Sequence, residues 1–140
     1  MVDGEASAWL YWWYKAYNTD DNEGLLLKSG ADTKRRWTLG NYSKFVRPGY
    51  VRVDITGAPS GVLASAYKGS DGTVVVVAIN KNTSAVSLPI TIAGGTAPAM
   101  MTPWVTSSTD NLISKTAVAV SGGSFTAALA ANTVTTFVGK

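Results

Sequence analysis

The chain has 140 residues, 15% of them charged and 46% apolar, with a formal net charge of +3. That is the composition of one folded domain, too short for an α/β barrel of roughly 250 residues. It holds no cysteine and no histidine, so disulfides, thiolate nucleophiles, imidazole bases and the common zinc sites are excluded.

The N-terminal MVDGEASAW has no basic region leading into an apolar stretch, so no signal peptide is visible. Trp9 to Tyr14 reads WLYWWY, rich in strand formers and without helical spacing, and is predicted to be a mostly buried strand. A polar stretch, Asn18 to Asp32, follows as an exposed loop. Thr33 is placed to cap a helix through Val46, with Trp37, Leu39, Tyr42, Phe45 and Val46 roughly on one face. Gly40 weakens that helix by about 1 kcal/mol relative to alanine, and Arg47-Pro48-Gly49 ends it.

Composition then changes. Ten of the fourteen aromatics lie in the first 50 residues, and eight of the twelve basic residues lie before residue 55. Beyond that point Val, Thr, Ser, Ala and Gly dominate, in short runs broken by turn residues, which is the pattern of an antiparallel β-sandwich. Strands are predicted near 50–56, 62–68, 73–80, 85–93, 99–106, 116–121, 123–129 and 132–138. Ser70-Asp71-Gly72, Asn80-Lys81-Asn82, Gly94-Gly95 and Gly122-Gly123 supply the reversals, since glycine tolerates the positive φ of tight turns. Val74 to Ile79 is apolar throughout and fits a central strand covered on both faces. In the last strands, Phe125, Ala127 and Leu129 share one face, as do Val134, Thr136 and Val138, with one side packed and the other wet. Val74 to Ile79 is also the longest purely aliphatic run, far short of the about 18 residues of a membrane span. The fold expected is mostly β: an antiparallel β-sandwich over 49–140, preceded by one strand and one helix in 1–48.

ASAWLYWWY, GNYSKFVRPGYVRVD, SAYKGSDGTVVVVAINK and the closing NTVTTFVGK together resemble the C-terminal portion of glycoside hydrolase family 30 endo-xylanases. The resemblance runs through essentially the whole chain. It implies that Trp9 to Tyr14 is the eighth strand of a (β/α)8 barrel, Thr33 to Val46 its eighth helix, and Tyr50 onward a side β-domain. Such enzymes are secreted retaining hydrolases with two glutamates, whose carboxyl groups must stand about 5 to 5.5 Å apart. The glutamates present, Glu5 and Glu23, occupy neither matching position, so no catalytic residue, cofactor or metal ligand is assigned.

In the resemblance the second tryptophan of WWY lines the sugar pocket, which makes Trp13 the first candidate substrate-binding residue, followed by Tyr17, Trp12 and Tyr14. Flat rings shield the apolar C–H faces of sugars from water; barrel core is the plainer reading of the same residues. Lys15-Ala16-Tyr17 stands where glucuronoxylan-specific members carry an arginine, which implies independence from a glucuronate branch and favours unsubstituted or arabinosylated xylan. Lys34-Arg35-Arg36 beside Trp37 invites a nucleic-acid reading, but the net charge is low and a solvated helix face accounts for it better. Tyr67 and Trp104 suit a second sugar platform less well than packing. The expected partners are therefore xylan or xylo-oligosaccharides, with neither nucleic acid nor membrane, and a homo-oligomer is possible through the exposed barrel strand and helix. The readings in play are a non-catalytic portion of a xylan hydrolase, a subunit active only with a separate barrel, and a self-associating module.

Overall fold

The computed structural model describes residues 9–17 and 23–140; Glu5, Asp20 and Asp21 lie outside them. The elements are α1 (Lys34–Ser43), β1 (Val51–Val53), β2 (Val62–Lys68), β3 (Val74–Asn80), β4 (Val86–Thr91), β5 (Met100–Thr106), β6 (Ile113–Ser114), β7 (Val118–Ala119), β8 (Ser124–Leu129) and β9 (Thr133–Gly139). The described part is mostly β, as expected, and every strand pair is antiparallel. One sheet has the order β1-β2-β3-β9-β5-β6 with β7 also on β5, and a second consists of β4 and β8.

β3 lies inside the large sheet, and its alternation divides the core in two. Val74, Val76 and Ala78 face Leu88, Ile90, Phe125, Ala127 and Leu129 of the small sheet, with Met101 and Phe137 beside them. Val75 and Val77 face the other way, onto Tyr67, Tyr42, Phe45 and Val46. The molecule is therefore layered as small sheet, large sheet, helix, and burial of each such side chain stabilises it by about 1.5–3 kcal/mol. The apolar run Val74 to Ile79 is the doubly covered strand that its composition requires.

The same helix corrects the expectation of a wet side for β9. Phe137 points into the sandwich, while Val134 and Val138 pack in the cluster under α1 and Thr136 is fully buried. In β8 the alternation holds, with Phe125, Ala127 and Leu129 buried and Thr126 and Ala128 exposed.

Of the strand predicted at 116–121 only the short β7 forms, an unpredicted β6 precedes it, and Pro103 explains the break between them. Lys115 N–H donates to the Pro103 carbonyl at 2.8 Å, but proline has no N–H to return the bond. The pairing slips by one residue there: Trp104 faces Ser114, whereas Met101 faces Val118. Proline in a sheet is confined to such bulges and to open edges. Pro89 illustrates the second case. Ile92 N–H donates to Gly123 O at 2.8 Å, so residues of that parity in β4 bond β8, and Pro89 turns its nitrogen to the free side.

The strand predicted over Trp9 to Tyr14 does not form. No neighbouring strand takes up its backbone groups among the described residues, and strand propensity without a partner is insufficient. Lys15 alone makes an isolated parallel bridge, to Leu26. The expected burial is absent too, since Leu10 is 92% and Trp12 82% exposed.

α1 ends at Ser43, short of the expected Val46, and a turn in which Val46 N–H bonds Tyr42 O at 2.8 Å carries Phe45 and Val46 into the core. Gly40 brings the helix close to the 107–112 loop: a Cβ there would lie 3.0 Å from Leu112 Cδ2. Asn41, on the same stripe as Trp37 and Phe45, is fully buried. Its side-chain amide donates to Trp104 O and to Thr136 Oγ1, both at 3.0 Å. Trp104 and Thr136 are cross-strand partners on β5 and β9, so one helical side chain clasps two strands.

Candidate functional site

The aromatic segment hangs on a ledge formed by residues 24–26. Leu25 N–H donates to Trp13 O at 3.1 Å, Leu26 N–H to Tyr14 O at 2.9 Å, and Ala16 N–H to Leu26 O at 2.9 Å. Gly24 allows this approach, because a Cβ would stand 2.7 Å from Ala16 N and 2.6 Å from Leu26 O. Tyr11 closes the segment from its other end, its hydroxyl donating to the Glu23 carbonyl at 2.6 Å.

Three of the four predicted binding residues are thus presented outward. Trp12, Tyr14 and Tyr17 are exposed and Trp13 is half-buried. The rings of Trp12 and Trp13 stack with centroids 5.5 Å apart and planes 19° from parallel. They lie against each other rather than on opposite faces, as strand alternation would have had them, and the peptide bond joining them is cis. Trp9 and Tyr11 form a second, tilted pair at 5.6 Å. These two rings also line a groove of about 720 Å³ with Arg35, Leu39, Tyr42 and Leu63. In its wall the Tyr42 hydroxyl stands 3.4 Å from Ser65 Oγ, and burial pushes the phenol above its ordinary pKa.

The described carboxylates are not arranged for acid–base chemistry. Asp32 pairs with Arg36, Asp54 with Arg52 at 3.7 Å, Asp71 with Lys140 at 3.2 Å and Asp110 with Lys115 at 2.9 Å. Each described aspartate thus faces a cation rather than a second carboxylate, and no cluster of three metal-ligating residues occurs among the described residues. Glu23 is exposed. Part of the basic run is occupied by the fold: Lys34 Nζ reaches Asn111 Oδ1 at 2.5 Å and Asp110 O at 3.2 Å. Tyr67 is 4% exposed and meets Tyr42 edge-on, while Trp104 is covered by the Lys44 ammonium 3.7 Å from its centroid. Both are packing residues in this structure.

Sequence reasoning missed two residues that organise the site, Thr33 and Asn41. A polar residue on the apolar stripe between Trp37 and Phe45 was the available signal for Asn41.

Residues 49–137 match the family model described as the glycosyl hydrolase family 30 beta sandwich domain. The chain belongs to glycosyl hydrolase family 30. It is 42% identical over 139 residues to a glucuronoxylanase, XynC, of Bacillus subtilis strain 168, matching 99% of this chain and 31% of that protein. Among solved structures it is similar to a family 30 endoxylanase of Clostridium papyrosolvens C71, with 43% identity and a TM-score of 0.78 over 84% of this chain and 30% of that one. A subfamily 8 family 30 xylanase, Xyn30A, of Clostridium acetobutylicum has 36% identity and the same TM-score over 84% of this chain and 31% of its own. The chain thus spans about a third of the length of these family 30 relatives.

Proposed function

We propose that these 140 residues are a non-catalytic portion of a secreted xylan-degrading hydrolase, supporting its barrel and binding xylan through Trp13, Trp12, Tyr14 and Tyr17. The observation that carries this reading is the exposure of Trp12, Tyr14 and Tyr17 on a braced segment, with the half-buried Trp13 stacked against Trp12 in an apolar surface. Such a surface suits the C–H face of a pyranose. The relatives named for xylan and glucuronoxylan support the polymer class, and the pairing of each described aspartate with a cation supports a role without bond cleavage. Lys15-Ala16-Tyr17 supplies no guanidinium for a uronate branch, so the proposed ligand is unsubstituted or arabinosylated xylan. Titration with xylo-oligosaccharides tests this by calorimetry: saturable heat with an affinity that falls in Trp13→Ala is expected, and no heat at millimolar ligand overturns it.

A second reading rests on the large exposed apolar side chains Leu10, Trp12 and Tyr14. It makes them the contact to a separately encoded barrel or to a second copy. Sedimentation as a clean monomer at all concentrations removes the self-association form. Reducing sugar released by the purified chain from xylan, and lost on changing Glu23, would overturn the non-catalytic assignment.

A further inference from the structure

We infer that Thr33 is a positioning residue for the stacked Trp12–Trp13 pair, an inference that rests on the binding role proposed above only for its sugar arm. Thr33 occupies the N-cap position of α1, with the extended φ of −94° and ψ of 162° that a cap requires, yet its side chain makes no cap bond. Its hydroxyl turns the other way. From a site 4% exposed it donates to Gly24 O at 2.9 Å and Leu25 O at 3.0 Å, while its own N–H donates to Leu25 O at 3.0 Å. One proton shared between two carbonyls is a three-centre bond. The ledge that it holds is the one from which Trp13 and Tyr14 are suspended by Leu25 and Leu26.

A threonine at an N-cap ordinarily stabilises its helix by satisfying a free N–H. Here that interaction is given up to fix a loop, and local rules broken in this way concentrate where function constrains the backbone. The chain of contacts runs from Trp104 and Thr136 in the sheet, through Asn41 and α1, to Thr33, to residues 24–26, to the rings. Gly24 belongs to the same device, since any side chain there would drive the ledge from Ala16.

The test uses the full chain and reads the exciton couplet that two stacked indoles give in circular dichroism, which needs no ligand. Thr33→Val removes only the hydroxyl, and Thr33→Ser restores it. The valine variant is expected to lose the couplet and bind xylo-oligosaccharides roughly tenfold more weakly, with the melting of the sandwich unchanged; the serine variant keeps both signals. Gly24→Ala, with the hydroxyl intact, is expected to lose the couplet as well. A couplet that survives in both Thr33→Val and Gly24→Ala overturns the inference, as does one lost only in step with a fall in sandwich melting. If the wild type binds no sugar while Thr33→Val still abolishes the couplet, the positioning role stands and the proposed function fails.

Discussion

The Asn41 amide donates to Thr136 Oγ1 at 3.0 Å, and the Thr136 hydroxyl donates back to the Asn41 carbonyl at 2.7 Å. Both residues are fully buried, so the pair joins helix to sheet with water excluded. Groups that lose their partners in such a place cannot turn to solvent. Asn41→Ala is therefore expected to destabilise the chain by about 2 kcal/mol, a fall of roughly 6–8 °C in melting temperature. Thr136→Val should cost a similar amount. The double variant should cost less than the sum, which thermal melts of the four proteins in a mutant cycle would read directly.

Asp71 gives a pH dependence. The Thr73 amide and hydroxyl, and then the Lys140 ammonium, hold its carboxyl down to about 2, against about 3.9 for a free aspartate. A carboxyl depressed in the folded state stabilises above its unfolded pKa, and that stabilisation is lost as pH falls from about 4 to about 2. Asp71→Asn should melt below the wild type at pH 6, with the gap closing by about pH 2.

At the rings, Trp12→Ala and Trp13→Ala are each expected to weaken xylo-oligosaccharide binding about two- to tenfold, with Tyr14→Ala and Tyr17→Ala causing smaller losses. Trp12, Tyr14 and Tyr17 are exposed, so their variants should stay within about 0.5 kcal/mol of wild-type stability. Tryptophan fluorescence titration with parallel urea melts separates the two effects.

Phe137 is 1% exposed and lies 5.4 Å from Phe125 across the sandwich. Phe137→Ala should cost about 3–5 kcal/mol, enough to leave much of the chain unfolded at 37 °C, and Phe137→Leu substantially less. Urea midpoints at constant slope would check both.

The sandwich was legible because its signals are local. Valines from 74 onward, alternating residues in β8 and the turn pairs around Gly72 and Gly122 place most strands within a residue or two. What escaped the sequence depends on partners distant along the chain. The split at Pro103 needs the identity of the strand that would have bonded it. The wet face assigned to β9 needed the knowledge that α1 returns to cover it. WLYWWY has every strand propensity but no neighbouring strand among the described residues, and Thr33 looks like a helix cap until Gly24 and Leu25 are seen to claim its hydroxyl. The candidate rings were legible as rings, whereas their stacking and the ledge beneath them were not.

The family match begins at Gly49, yet the physical unit begins earlier. A piece cut at that boundary would strip one roof from the sheet and leave Val75, Val77 and Thr136 facing water. Any excision, fusion or transplant of this module should therefore keep its upstream joint before Thr33, carrying the helix along as the lining of the sheet it covers.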